Sequence, residues 1–168
     1  MIFRNLRFFF NINIIVPALI FILDRISKIY VINLSKNSFD IELYTSKFLN
    51  ITLVWNEGIA FGLFSASHEH WYNFLTIVIS FVALIILVMS IRQEGAQKYF
   101  LLIVFGGALA NLYDRIFFRA VPDFIDLHVE NFHWFIFNIA DIFITFGVIM
   151  LILWEILSLN KDKDYEKK

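Results

Sequence analysis

Phe137-Asn138-Ile139-Ala140-Asp141-Ile142-Phe143-Ile144-Thr145-Phe146-Gly147 is apolar except for one amide, one carboxylate and one hydroxyl. Asn138 and Asp141 stand at i, i+3 and Thr145 follows at i+4. A helical backbone therefore lines the three up on one face, while Ile139, Ile142, Phe143 and Phe146 spread over the remainder. A carboxylate in so apolar a segment is costly unless it faces a protein interior or a wet cavity, which makes Asp141 a candidate functional group in need of a partner. The partner candidate is Asp123, eighteen residues earlier in Val121-Pro122-Asp123-Phe124-Ile125-Asp126.

The rest of the composition agrees with an apolar setting. A chain of 168 residues has room for one domain, and 60% hydrophobic residues with 21 Phe place it among integral membrane proteins. The formal net charge of -1 supplies no basic surface for nucleic acid. Cysteine is absent, which excludes disulfides, thiolate nucleophiles and Cys-based metal sites. The four histidines, His68, His70, His128 and His133, form no HExxH pattern, and His68-Glu69-His70 reads as the polar end of an exposed loop. The expectation is a protein with no metal and no cofactor.

Working outward along the chain, Arg4 and Arg7 precede an apolar run from Phe8 to Leu23 that has the outline of a signal peptide. No small-residue cleavage site follows, and Asp24-Arg25-Ile26-Ser27-Lys28-Ile29-Tyr30-Val31-Ile32 continues the pattern, so the segment reads as a retained first transmembrane helix. Asp24 and Lys28 stand at i, i+4, and for Arg25 an interfacial salt bridge is the simpler reading. Phe39 to Leu43 and Phe48 to Trp55 alternate and are rich in β-branched and aromatic residues, which predicts a small sheet on the membrane surface. It ends in Asn56-Glu57-Gly58-Ile59-Ala60-Phe61-Gly62, where two glycines permit a tight path and Asn56 can hydrogen-bond an extended peptide or the catalytic loop.

Trp71 to Ile91 is an uncharged second span with an aromatic start, and Arg92 to Lys98 is a short inner loop. The third span, Tyr99 to about Phe118, brings Asn111, Asp114 and Arg115 to one face. An outer loop from Phe117 to His133 then leads to the fourth span, with Asp141 on the order of 10 Å deep at 1.5 Å per residue. The architecture predicted is an all-α membrane bundle of four transmembrane helices, spans about 8–32, 71–91, 99–118 and 135–159, in one domain over 1–168. A small extracytoplasmic β-sheet (about 36–62), the outer loop and a frayed polar tail (160–168) complete it. Arg4, Arg7, Arg92, Lys98 and four tail lysines on one side predict cytoplasmic termini. Asp24, Asn56, Asn111, Asp114, Asp123, Asn138 and Asp141 then converge on the outer side.

Two carboxylates close together in a poorly solvated site share a proton near neutral pH, because desolvation and mutual repulsion raise one pKa. That is the aspartic-protease arrangement: the ionised member takes a proton from the attacking water, and the protonated member supports the oxyanion and assists the leaving nitrogen. Asp24-Arg25-Ile26-Ser27-Lys28, Asn56-Glu57-Gly58-Ile59-Ala60-Phe61, Gly107-Ala108-Leu109-Ala110-Asn111-Leu112-Tyr113-Asp114-Arg115, Val121-Pro122-Asp123-Phe124-Ile125 and Phe137-Asn138-Ile139-Ala140-Asp141, in this order, closely resemble the lipoprotein signal peptidase (signal peptidase II) family. The resemblance implies that Asp123 and Asp141 form a catalytic dyad. Asn56, Gly58, Asn111, Asp114, Arg115 and Asn138 would be supporting or substrate-binding residues, and Asp24 and Lys28 pocket or structural ones.

It further implies a bacterial inner-membrane enzyme, its active site facing outward. Such an enzyme removes prolipoprotein signal peptides just before the diacylglyceryl-modified cysteine, works among membrane lipid and is inhibited by globomycin. The competing reading is a four-helix proton channel or transporter with buried carboxylates, whose relay would have to cross the bilayer, whereas the acids here gather at one end. A membrane scaffold with structural Asp-Arg pairs leaves the recurrence of Asp beside Asn unexplained.

Overall fold

The structure, a computed structural model, describes residues 2–37, 42–58 and 69–165, and the side chains of 13–37, 43–58 and 71–158. In chain order the elements are α1 (Ile2–Asn37), β1 (Glu42–Thr45), β2 (Leu49–Asn56), α2 (Glu69–Arg92), α3 (Gly95–Phe118), β3 (Val121–Val129), β4 (Phe132–Phe137) and α4 (Ile139–Tyr165). The protein is mostly helical, and β1 to β4 form one antiparallel sheet in the order β1-β2-β3-β4.

Among the described residues, Trp71–Arg92, Gly95–Phe118 and Ile139–Ser158 are long and apolar enough to cross a membrane. Their outward faces leave large apolar side chains uncovered, such as Phe74, Ile77 and Phe81 on α2 and Ile149 and Leu153 on α4. So broad an uncovered apolar surface suits lipid, where a helix satisfies its own backbone hydrogen bonds. The expected first span, 8–32, lies within the unbroken helix α1, which carries Asp24, Arg25 and Lys28 in its second half.

Helix α3 is the hub, packed against α1, α2 and α4. Its approach to two of them depends on consecutive glycines. A Cβ at Gly106 would stand 2.9 Å from the Cα of Pro17 on α1, and one at Gly107 would stand 2.6 Å from the Ala140 carbonyl oxygen on α4. Small residues let helices in a membrane come close enough for dispersion and polar contacts to hold them together. Leu102, Ala110 and Ala140 close the resulting seams and are almost completely buried.

Several boundaries differ from the sequence expectation. The inner loop expected over Arg92–Lys98 shrinks to Gln93 and Glu94, because Gly95 takes a left-handed φ of 65° and α3 starts there. The outer loop expected over Phe117–His133 is instead mostly strand: β3 lies in the interior of the sheet, between β2 and β4. The start of the fourth span also moves, since residues 132–137 are β4 and the helix begins only at Ile139. Pro122 and burial at successive positions hid β3, whose pattern shows no clean alternation, and the aromatic run of β4 merges with the apolar helix behind it. Past 159, where a frayed tail was expected, α4 continues to Tyr165. The expected strand residues Phe39–Ile41, together with Gly62 and His68, lie outside the described residues, as do the side chains of Glu69 and His70.

Replacing Gly107 with Ala sets a methyl group against a main-chain oxygen that cannot rotate away. The expected outcome is a loss of about 1–3 kcal/mol of stability, typical of overpacking, read as a lower thermal midpoint of the detergent-solubilised protein. An unchanged midpoint would show that the α3–α4 seam is looser than described.

Candidate active site

The first turn of α4 supplies the centre of the site. Asn138 is the residue before the helix and Asp141 its third residue, and the two cap each other. The Asn138 Oδ1 accepts a hydrogen bond from the Asp141 N–H at 3.1 Å, while the Asn138 N–H donates to Asp141 Oδ2 at 3.2 Å. This reciprocal pair satisfies donors that a helix start otherwise leaves open. It also corrects the expected depth of Asp141, which belongs to the first turn of α4 because β4 occupies the residues before it.

Asp123 reaches the same place from β3. Its Oδ1 accepts from Asn138 Nδ2 at 2.6 Å and its Oδ2 from Asn56 Nδ2 at 2.9 Å, so Asn138 touches both carboxylates. The β2–β3 register, Val54 opposite Asp123 and Asn56 opposite Val121, is what brings Asn56 alongside. Asn56 in turn accepts the Gly58 N–H at 3.0 Å, and the Arg115 guanidinium donates to the Gly58 carbonyl oxygen. The Arg115 carbonyl oxygen accepts the Tyr72 hydroxyl at 3.0 Å, which ties α2 to the back of the site.

On the bundle side, Asn111 Nδ2 donates to Asp141 Oδ1 at 2.8 Å and its Oδ1 accepts from Lys28 Nζ at 2.9 Å. Lys28 is fully buried, 2.7 Å from both Asp24 and Asp114. The other Asp24 oxygen accepts the Ala140 N–H at 3.0 Å, so α1 holds the start of α4 directly. Arg25, read from the sequence as an interfacial residue, pairs with Asp114 and lies 5.1 Å from the Tyr113 ring centre. Asp114, Tyr113 and Phe118, all on α3, hold that position, and sequence spacing does not reveal them.

Asp123 and Asp141 both line one cavity of about 240 Å³, together with Asn56, Asn111, Arg115 and Asn138. All ten residues singled out from the sequence are thus joined in one network. Thr145, on the same helix face, lines this cavity and also a neighbouring apolar groove of about 500 Å³ that runs along α4 past Ile142, Phe146 and Ile149. Burial, reinforced by the nearby Asp141 carboxylate, raises the Asp123 carboxyl to about 6, against the opposing pull of the Asn56 and Asn138 hydrogen bonds and of Lys28. Such a group gains and gives up a proton close to neutrality, as general acid-base chemistry requires.

Known proteins resemble this chain in sequence and fold. The family model described as signal peptidase (SPase) II matches residues 16–157. A lipoprotein signal peptidase of Pelagibacter ubique is 46% identical over 157 residues, covering 94% of both chains. One from Anaplasma phagocytophilum is 38% identical over 145 residues, 86% of this chain and 92% of that one. Two solved structures of bacterial membrane enzymes superpose with TM-scores of 0.66 and 0.68 at 29% and 27% identity, covering 90% and 84% of this chain and 90% of each of theirs. On this similarity over nearly its whole length, the chain belongs to the signal peptidase II family.

Proposed function

We propose that the protein is an aspartic endopeptidase of the bacterial inner membrane that removes the signal peptide of prolipoproteins immediately before the lipid-modified cysteine, with Asp123 and Asp141 as its catalytic pair. The observation that carries this reading is the single cavity lined by both carboxylates and bridged by Asn138. One proton shared between them suffices. The ionised carboxylate draws a proton from water as the water attacks the scissile carbonyl, and the protonated one supports the oxyanion and then protonates the departing amine.

Asn56 and Asn138 hold Asp123, and Asn111 holds Asp141, each through a side-chain amide that carries no net charge. The carboxylates are thereby oriented without being locked in the ionised state, as a buried guanidinium partner would do. The apolar groove along α4 suits the apolar body of a signal peptide or an acyl chain of the modified cysteine, since it opens from the same Asp141 and Thr145 that line the polar cavity. In this reading α1 is the fourth membrane span, both termini are cytoplasmic, and the sheet lies on the extracytoplasmic face, as the cation distribution favours. A transbilayer proton relay is disfavoured because the polar network stays at one end of the bundle. Glu155, towards the other end of α4, is exposed and apart from it.

Asp123→Asn and Asp141→Asn are each expected to lower the turnover of a lipidated prolipoprotein by about 10²–10⁴-fold in a gel-shift cleavage assay, with membrane insertion unchanged. Globomycin is expected to block the wild-type reaction. Wild-type-like turnover in either variant would remove the pair from the chemistry.

The raised Asp123 carboxyl also sets a pH dependence of stability. Between the ordinary carboxylate value of 3.8 and about 6, the folded protein keeps a proton that the unfolded chain has released. Stability contributed by this group is therefore full at the acid end of the window, falls as pH rises through it and is flat above. Thermal midpoints in detergent between pH 4 and pH 7 are expected to show this decline, and Asp123→Asn to flatten it; an equally steep decline in the variant would assign it elsewhere.

A further inference from the structure

Beyond the cavity, the β3–β4 hairpin carries a second constellation of Asp126, His128 and His133. His128 and His133 face each other across the strands, the register shifts between Asp126 and His128, and the Asp126 carboxylate reaches the same spot. Asp126 Oδ2 lies 2.8 Å from His133 Nδ1, and the two imidazole rings stack 5.1 Å apart with 21° between their planes. One donor atom from each of the three residues lies within 4.8 Å of the others.

The bonding in this cluster is incomplete. Asp126 is 5% exposed, and its Oδ1 is buried with no hydrogen-bond partner among the described residues; the same holds for His128 Nδ1. Buried polar atoms are rarely left so, because each forgoes the hydrogen bond it had in water. The cluster thus holds two buried polar atoms, a carboxylate oxygen and a ring nitrogen, that make no hydrogen bond among the described residues.

We infer that Asp126, His128 and His133 form a binding site for a divalent transition-metal ion of the zinc class. Two imidazole nitrogens and one carboxylate oxygen are a borderline-soft set that favours zinc, cobalt or nickel over magnesium and calcium, which prefer all-oxygen sites. Bonds of about 2.0–2.2 Å to a tetrahedral ion place donors about 3.4 Å apart, so the three need only small side-chain rotations to close on it. Asp126 neutralises part of the charge, and the half-exposed His133 ring leaves an entry path and a fourth position for water. The bound ion replaces the Asp126–His133 hydrogen bond with a clasp between β3 and β4. The site lies three residues along β3 from Asp123 and is separate from the paired carboxylates.

The test uses the full-length chain without an affinity tag, stripped with a chelator in detergent micelles and titrated with Co²⁺, with calorimetry in Zn²⁺ as a second readout. One equivalent is expected to bind and to give the visible absorption of low-symmetry cobalt. His128→Gln and His133→Gln, which keep a polar side chain in place, are each expected to weaken binding at least about tenfold. His68→Gln/His70→Gln, which alters the other two histidines of the chain, is expected to leave it unchanged. Should one hairpin variant fail to fold, the other decides. Wild-type-like binding by a folded hairpin variant, loss of binding in the His68/His70 variant, or no stoichiometric binding by the wild type would overturn the assignment.

Discussion

A fully buried ammonium group has no tolerable position in an apolar bundle unless carboxylates surround it, and the arrangement of this protein follows from that requirement at Lys28. Asp24 comes from the same helix one turn earlier, while Asp114 and Asn111 come from α3, so satisfying Lys28 fixes α1 against α3. Asp24 then uses its second oxygen on the Ala140 N–H and so brings in α4. In folded proteins generally, breaking such a pair on one side costs about 3–5 kcal/mol, because a charge is left buried alone. Three helices are thereby brought together at one end, and that is the end where Asp123 and Asp141 face their cavity.

The second organising residue is Asn138. It starts α4, accepts and donates within the capping pair with Asp141, and gives its amide hydrogen to Asp123. An ionised aspartate would serve as a helix start but could only accept, whereas the amide both accepts from the Asp141 N–H and donates to the Asp123 carboxylate. The chain of contacts from Lys28 through Asn111, Asp141, Asn138 and Asp123 to Asn56 therefore has amides at every link between the acids, which keeps like charges from meeting directly.

Much of this could be read from residue order. Helix periodicity placed Asn138 with Asp141, and Asn111 with Asp114 and Arg115, on common faces, and the cost of an acid in an apolar run identified Asp141. The sheet was harder. The first part of Val121–Val129 is buried at successive positions and contains Pro122, so neither alternation nor propensity marked it as a strand interior to the sheet. The end of β4, residues 135–137, was absorbed into the helix because its side chains are as apolar as those that follow, and this put Asp141 too deep. Arg25 was read as a surface residue since its partners, Asp114 and the Tyr113 ring, come together only through tertiary contact. His128 and His133 were judged by linear motif, whereas cross-strand register is what pairs them.

One junction unites the two layers of the molecule. Between the last residue of β4 and the first of α4 stands Asn138 alone, too short a connection to act as a hinge. The sheet and the helical body are accordingly joined there through a single residue. The residue that joins the hairpin to the bundle is therefore the same one that hydrogen-bonds both acids. Whatever rests upon the hairpin lies one residue of chain from the helix that carries Asp141.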